Sequence, residues 1–203
     1  MKVKVPEFEI QDDVVIDPTR TVLLIVDMQN DFVCPDGKLS VPTAAATIPR
    51  IETLRAFARR HSIPVFYTQD SHYDGDPEFE VWGEHVLVGT PGWEIVADLA
   101  PDGEVGDRVF RKDRYDGFFN TTLEQALKEL AIDTIIICGT VANICVHYTA
   151  ASAALRWYRV IFPIDATSAL NEFDLMVAIR QTAFLLLGVI THTEAIRAEE
   201  KDS

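Results

Sequence analysis

Short apolar runs rich in β-branched residues alternate along this chain with longer stretches of helical character. The clearest run is TVLLIVD at 21–27, which is apolar almost throughout instead of alternating with polar residues. Such strands are buried on both faces, as is typical of parallel sheets that helices cover on each side. The pattern predicts a three-layer, doubly wound α/β/α fold around a mostly parallel sheet of about six strands. The predicted strands are 21–27, 63–70, 107–112, 133–139, 159–165 and 188–192.

The helical stretches lie between these strands. Helices are predicted at 43–61, 143–158 and 172–187, and a capping box formed by Thr121 and Glu124 predicts the start of another. The stretch 71–107 has no clear periodicity, and a loop of that length in a compact domain is usually functional. The tail RAEEKDS at 197–203 is expected to fray.

Length and charge limit the classes of function open to the chain. Its 203 residues suit one domain over 1–203, with a core at about 19–192. The formal net charge of −14 argues against nucleic acid or an anionic membrane as a partner, because phosphates would be repelled. No apolar run reaches the roughly 20 residues that cross a bilayer, and the N-terminal stretch lacks the apolar core of a secretory signal. We therefore expect a cytoplasmic protein with a small-molecule partner.

Polar side chains follow several predicted strands at the points where the strands end. Asp27 follows the first strand, Asp70 and His72 the second, and Lys112 the third, while Cys145 opens the helix after the fourth. The carboxyl ends of parallel strands meet at one edge of a sheet, where α/β proteins bind their ligands. We expect these side chains to converge on one crevice. The first strand is not followed by GxGxxG, and no P-loop occurs, so nucleotide binding of those types is not predicted.

Cys145 is the candidate nucleophile among the chain's three cysteines. Near a helix N-terminus the dipole and the free N–H groups lower the pKa of a thiol. Asp27 could accept the thiol proton and Lys112 could stabilise the thiolate. A lone cysteine is more often a small buried apolar residue, but these two partners favour catalysis. Cys138, inside a strand, is interpreted as packing, and Cys34 as structural; a disulfide or a zinc ribbon is not predicted.

One carboxylate and two imidazoles after the second predicted strand suggest a metal site. Asp70 and His72 are two apart in an extended segment, so their side chains can point the same way, and His85 follows in the long loop. Such a set suits Zn²⁺, with Fe²⁺ or Mn²⁺ as alternatives. Taken alone the DSH motif is a weak signal, because Asp and Ser are common in turns.

Five motifs, taken in order, resemble those of the isochorismatase-like cysteine hydrolases, a family that includes the nicotinamidases. They are LLIVDMQNDFV, YTQDSH, WGEHVLVGTPGWEI, RKDRYDGFFNTTLE and CGTVANICVHYTA, and the resemblance covers about 21–169. It implies a catalytic triad of Asp27, Lys112 and Cys145 and a divalent metal site at Asp70, His72 and His85. It also implies a homo-oligomer, a dimer or a tetramer.

The same resemblance implies details of the reaction. A cis peptide is expected at Thr140–Val141, with an oxyanion hole formed by the N–H groups of Val141 and Cys145. The implied activity is hydrolysis of a carboxamide through a thioester, with nicotinamide giving nicotinate and ammonia, while the metal orients the substrate ring. Phe32, Trp82 and Phe119 are candidate walls of a flat pocket, with core packing as the alternative for each.

Two departures from the nicotinamidase pattern keep other substrates open. Many nicotinamidases carry an extra His in the metal loop, where this chain offers Glu78, and an Asp where it has Asn143. Similar changes occur in relatives that hydrolyse carbamoyl or ureido groups. The alternatives are therefore an N-carbamoylsarcosine or ureido amidase and, from another class, a catalytically silent binding protein.

Overall fold

The computed structural model describes residue 4 and residues 6–199. Its strands are β1 Val14–Ile16, β2 Thr21–Val26, β3 Val65–Asp70, β4 Arg108–Lys112, β5 Thr134–Thr140, β6 Arg159–Pro163, β7 Thr167–Ser168, β8 Val189–Thr191 and β9 Ile196–Ala198. Its helices are α1 Asn30–Val33, α2 Ala44–Arg60, α3 Phe79–Trp82, α4 Leu123–Glu129, α5 His147–Leu155 and α6 Glu172–Phe184. Within these described residues, no helix is both long enough and apolar enough to cross a bilayer.

The central sheet confirms the predicted α/β fold. In the described residues it has the strand order β4-β3-β2-β5-β6-β8, with β7 beside the end of β5, and every pairing is parallel. The chain runs outward from β2 through β3 to β4 and then returns to the other side of β2 as β5. Right-handed crossovers in the two directions place helices on opposite faces of the sheet. The switch in direction opens a crevice outside the carboxyl ends of β2 and β5.

Strand register aligns the ends of the central strands. Val26 at the end of β2 pairs with Thr68 on one side and with Gly139 on the other, and Asp70 pairs with Lys112. Gly139 has φ +109, and a Cβ there would lie 2.2 Å from the Val26 carbonyl oxygen, so only glycine lets β5 run this close to β2. The strands β2 and β5 are buried along their whole length and form the centre of the core.

Several local predictions need correction. The tail prediction is wrong for 197–198, which lie in β9 paired with β1; residues 200–203 lie outside the described residues.

The capping box predicted at the start of α4 does not form, because the Glu124 carboxylate binds Lys128 and Arg156 instead of reaching back along its own helix. The N-cap position is taken by Thr122, whose side chain makes no capping bond, while Thr121 Oγ1 accepts a hydrogen bond from the Leu123 N–H at 3.2 Å. The long irregular stretch contains α3 and three short 3₁₀ turns.

Candidate active site

Three side chains from different strand ends meet in a buried cluster around the Lys112 ammonium. Its Nζ lies 2.7 Å from Asp27 Oδ2 and 3.1 Å from Asp70 Oδ1, and it donates to Cys145 Sγ at 3.7 Å. Both Lys112 and Asp27 have fully buried side chains. The structure thus brings together Asp27, Lys112 and Cys145 as the sequence predicts, and it adds that Lys112 also pairs with Asp70.

The backbone aims Asp27 into this cluster. Its φ of 49 lies in the left-handed region, which Asp tolerates better than most residues and which often marks a functional site. The second carboxylate oxygen, Oδ1, accepts a hydrogen bond of 2.7 Å from Thr68 Oγ1. With one oxygen held by Thr68 and the other by Lys112, the carboxylate has a fixed orientation.

The charges of the cluster are set by burial and by each other. Burial works against the charge on Lys112, yet Asp27 and Asp70 hold its pKa well above the usual value. Burial raises the pKa of Asp27, and the nearby Lys112 offsets this only in part. A carboxylate with a raised pKa is a better proton acceptor, as a general base requires.

The thiol of Cys145 departs from the expectation of a lowered pKa. Burial raises its pKa well above the usual value, and the charge of Lys112 counteracts this only in part because Asp27 and Asp70 act in the opposite sense. The dipole argument from the sequence left out these two carboxylates. The resting group is therefore a thiol, and its proton must be transferred as the sulfur attacks.

The turn before α5 places Cys145 at the crevice. The Thr140–Val141 peptide is cis, and residues Ala142–Val146 form a wider π-helical turn that leads into α5. Val141, Ile144 and Cys145 line one pocket. The two N–H groups expected to form an oxyanion hole therefore belong to residues at the wall of the same pocket.

Four buried side chains beside the triad form a cluster suited to a divalent metal. Asp70, His72, Glu78 and His85 each offer one ligand atom, and these atoms lie within 4.8 Å of one another. The cluster contains the three predicted ligands together with Glu78, which the sequence offered as a substitute carboxylate. Mixed imidazole and carboxylate sets of this size are typical of Zn²⁺, Fe²⁺ and Mn²⁺ sites.

The outer hydrogen bonds of both histidines fit metal binding. Nδ1 of His72 lies 3.0 Å from Asp76 Oδ2, and Nδ1 of His85 lies 2.8 Å from the Gly83 carbonyl oxygen. Partners of this kind hold an imidazole with its Nε2 lone pair directed to a metal. Nε2 of His72 is buried, lies 3.4 Å from Asp70 Oδ2 and has no hydrogen-bond partner among the described residues.

The cluster also carries excess negative charge. Burial disfavours the imidazolium form of His72, yet Asp70, Asp76 and Glu78 raise its pKa to about 9. Burial raises the pKa of Glu78, and Asp70 adds to the effect by repulsion. A divalent cation would neutralise these carboxylates, so the donor set and the local charge both suit one.

One pocket with mostly apolar walls is lined by Cys145 of the triad and by three members of the metal cluster. The lining residues are Phe32, Leu39, Val41, Asp70, Glu78, Trp82, His85, Tyr115, Val141, Ile144, Cys145 and Leu170. Phe32 and Trp82 thus lie where the sequence suggests, and Trp82 Nε1 donates to Tyr115 Oη at 2.8 Å. Phe119 does not line the pocket and is 50% exposed, because Phe118, not Phe119, takes the inward-facing position.

Gln29 is a positioning residue that sequence reasoning missed. Its buried amide donates to the carbonyls of Asp70 at 2.8 Å and Trp93 at 2.7 Å, and its Oε1 accepts from the Asp70 N–H at 2.8 Å. The backbone of a predicted metal ligand is thereby held on both sides. A polar residue just two positions after Asp27 at a strand end was the available signal.

Asp31, also missed, holds the other side of the metal cluster. Its Oδ2 accepts from the Val86 N–H at 2.7 Å, and its Oδ1 accepts from the Lys38 N–H at 3.2 Å. Val86 has φ 37, an uncommon conformation for a β-branched residue, directly after His85. A Cβ on Gly92 would lie 2.3 Å from the Asp31 carboxylate, so this close packing requires glycine.

Replacing Gln29 with alanine is expected to weaken Zn²⁺ binding by about 10–100-fold, the usual cost of losing an outer-shell partner of a metal ligand. Gln69→Ala is the matched control, because Gln69 donates to the same Trp93 carbonyl, at 3.0 Å. Titration against a chelating dye would compare the two, with His72→Ala as the reference for loss of a ligand. Equal weakening by both glutamine variants would mean that packing of the loop around Trp93, and not the hydrogen bonds from Gln29 to the Asp70 backbone, sets the affinity for Zn²⁺.

Comparison with known proteins gives a consistent family assignment. The family model described as "Isochorismatase domain" matches residues 21–195. Nicotinamidase 3 of Arabidopsis thaliana is 30% identical over 162 residues, which cover 77% of this chain and 78% of that protein. Enterobactin synthase component B of Escherichia coli strain K12 is 31% identical over 84% of this chain, which spans only 60% of that protein's length.

A solved structure extends the likeness to the whole fold. N-carbamoylsarcosine amidase from Thermoplasma acidophilum superposes with a TM-score of 0.78 at 34% identity, covering 86% of this chain and 97% of that one. Relatives with different named activities are thus similar to a comparable degree, so similarity alone does not select the substrate. The motifs, the fold and these matches agree that this chain belongs to the isochorismatase family, as a hydrolase with the fold of the cysteine hydrolases.

Proposed function

We propose that this chain is a cysteine-dependent amidohydrolase that cleaves the C–N bond of a small neutral carboxamide, with nicotinamide as its substrate. The observation that carries the proposal is the shared pocket, which Cys145 lines together with Asp70, Glu78 and His85 of the metal cluster. A ring amide placed there could present its carbonyl carbon to the sulfur while its ring lies towards the cluster.

The first half of the reaction forms a thioester. Asp27 accepts the proton of the Cys145 thiol as Sγ attacks the amide carbon, and the nearby Lys112 ammonium stabilises the developing thiolate. The N–H groups of Val141 and Cys145 stabilise the negative oxygen of the tetrahedral intermediate. Asp27 then donates its proton to the amide nitrogen, the C–N bond breaks and ammonia leaves.

The second half releases the acid. A water molecule attacks the thioester carbon and gives a proton to Asp27, which again acts as general base. When this tetrahedral intermediate collapses, the C–S bond breaks and the proton returns to the sulfur. One amide and one water thus give one carboxylic acid and one ammonia. The raised pKa of Asp27 suits both directions of proton transfer.

The metal ion implied by the fold would be held by Asp70, His72, Glu78 and His85. When bound, a divalent ion would supply Lewis-acid chemistry with which to orient the substrate ring. Lys112 links the two parts of the site, since it pairs with a carboxylate of the triad and with one of the cluster.

The side chains of the pocket favour a neutral substrate. Among the described residues that line it none is lysine or arginine, and its two acidic residues, Asp70 and Glu78, belong to the metal cluster. A substrate with its own carboxylate, such as N-carbamoylsarcosine or ureidoacrylate, would find no side-chain cation at the wall. Nicotinamide carries no charge, and the apolar walls suit a flat ring.

An ammonia-release screen tests this proposal. We expect kcat/KM for nicotinamide and for the neutral analogue pyrazinamide to exceed that for N-carbamoylsarcosine and ureidoacrylate by at least about 100-fold, because a substrate carboxylate buried without a side-chain cation costs several kcal/mol. A preference for either anion would overturn the substrate assignment while keeping an amidase. No ammonia from any of the four, with metal loaded, would favour the silent binding protein.

A further inference from the structure

Thr68, a buried residue near the end of β3, holds the candidate general base in two ways. Its carbonyl oxygen accepts a hydrogen bond of 3.3 Å from the Asp27 N–H, and its Oγ1 donates to Asp27 Oδ1 at 2.7 Å. The backbone of Asp27 has the uncommon φ of 49. One residue thus fixes both the main chain and the carboxylate of Asp27.

The two oxygens of this carboxylate have different surroundings. Oδ1 is bound by the Thr68 hydroxyl, whereas Oδ2 lies 2.7 Å from Lys112 Nζ. The same Nζ donates to Cys145 Sγ at 3.7 Å. The ammonium therefore joins Oδ2, and not Oδ1, to the candidate nucleophile.

Packing fixes the direction of the Thr68 hydroxyl. The side chain of threonine is branched at Cβ and has few rotamers available. Its methyl group faces Gly117, where an added Cβ would lie 3.0 Å from Thr68 Cγ2 and 3.1 Å from Thr149 Cγ2. The Gly117 N–H donates to Thr149 Oγ1 at 2.9 Å, which keeps this close contact in place. With the methyl group held on that side, the hydroxyl is directed at Asp27.

We propose that Thr68 is a positioning residue that directs the thiol proton to Oδ2 of Asp27 by occupying Oδ1. The inference rests on the proposed function, in which Asp27 accepts that proton. As the bond from Sγ to the amide carbon forms, the S–H bond breaks and its proton moves to Oδ2, while Thr68 keeps its own proton. Thr68 does not line the pocket, so it acts through Asp27 and not on the substrate.

The hydroxyl also helps to keep Asp27 ionised before the reaction. Burial raises the pKa of Asp27 and repulsion from Asp70 adds to it, whereas Lys112 and the Thr68 hydrogen bond oppose the rise. Cys145 is the other titratable group beside this carboxylate. Without the hydroxyl, Oδ1 would be a buried oxygen with no donor, and the pKa of Asp27 would rise further. A carboxyl that already holds a proton cannot accept one from the thiol, so the reaction would then need a higher pH.

Two substitutions separate the hydrogen bond from the packing. Thr68→Val keeps the branched shape and removes the donor, whereas Thr68→Ser keeps the donor and removes the methyl group. We expect Thr68→Val to lower kcat for ammonia release from nicotinamide by about 10–100-fold with KM unchanged, as misplacement of a reacting group does. The acid limb of its pH profile should move up by about one pH unit. Thr68→Ser should keep most of the rate and the wild-type profile.

Alkylation of Cys145 by iodoacetamide, followed on its own peptide by mass spectrometry, tests the same point without any substrate. The acid limb of the alkylation rate should move to higher pH in Thr68→Val and stay in place in Thr68→Ser. Thr134→Val is the matched control. Thr134 is also a buried strand residue whose Oγ1 donates to an aspartate, Asp133, at 2.9 Å, but it begins β5 at the opposite end of the sheet.

Each outcome decides the role of Thr68. A lower kcat and a shifted acid limb in Thr68→Val, with recovery in Thr68→Ser and no change in Thr134→Val, support it. An unshifted acid limb in Thr68→Val, or equal losses in the valine and serine variants, would overturn it and assign any effect to packing. If the wild-type chain released no ammonia, the proposed function would be wrong; a shifted alkylation profile in Thr68→Val would still support the positioning role, and an unshifted one would overturn it.

Discussion

Replacing Cys145 with alanine is expected to lower kcat for amide hydrolysis by at least about 10⁴-fold, as is usual when a nucleophile is removed. The sulfur is the atom proposed to attack the substrate, and Asp27 and Lys112 act through it. Without the sulfur no thioester forms, so the remaining oxyanion donors can stabilise only a direct attack by water. Ammonia release from nicotinamide, followed over many turnovers, measures the loss.

Cys34→Ala and Cys138→Ala are the matched controls for this experiment. Cys138 is buried within β5 and Cys34 lies in a half-buried turn, and neither lines the pocket. Both variants should keep their rate per folded molecule, and Cys145→Ala should keep its affinity for Zn²⁺. If Cys145→Ala retained a rate comparable with these controls, the covalent mechanism would be wrong and direct attack by water would replace it.

The central strands could be predicted from sequence because burial on both faces leaves a continuous apolar signature. The observed β2 and β5 begin and end within one residue of their predicted bounds. The short strands β1, β7 and β9 were missed because each has only two or three residues and none follows a predicted helix, as the equally short β8 does. Their pairing depends on contacts distant in sequence, such as Val14 with Ile196.

The convergence of the site could also be predicted, because strand ends in a parallel sheet share one edge. Roles that depend on loop backbone could not. Gln29 acts through the backbone of Asp70, and Asp31 through the N–H of Val86, and neither partner has a signal in the sequence. The pKa of Cys145 was mispredicted for a similar reason, since local helix position indicates a dipole but not the two carboxylates brought in from β2 and β3.

Competition between partners explains the remaining local error. Glu124 has the spacing of a capping residue, but Arg156 at the end of α5 lies 2.9 Å from its carboxylate. A charged partner 32 positions away in sequence replaces the bond to the helix start. Patterns within one segment predict which bonds a side chain can make, whereas the tertiary fold decides which of them it makes.

Replacing Lys112 with methionine is expected to lower the free energy of unfolding by about 3–5 kcal/mol, the usual cost of leaving a buried charge without its partner. Methionine fills a similar volume, so the loss reports charge more than packing. The Lys112 ammonium is fully buried between two carboxylates, and without it Asp27 and Asp70 would remain close together without their shared cation. In a domain of this size the melting temperature should fall by about 2–4 °C for each kcal/mol.

Two further variants separate this effect from a general loss of lysine. Lys128→Met removes an exposed ion pair, with Glu124, that should contribute no more than about 0.5 kcal/mol. Adding Asp27→Asn to Lys112→Met removes one of the two carboxylates left without a cation. It should restore part of the lost free energy of unfolding, and a double-mutant cycle measures this coupling. If the double variant were less stable than Lys112→Met, the ammonium would act mainly through packing. Recovery of stability would instead show that holding two carboxylates together is a cost of the triad. Burial is the main cause of the raised pKa of Asp27, and repulsion from Asp70 adds to it, so the same arrangement suits Asp27 to accept the thiol proton.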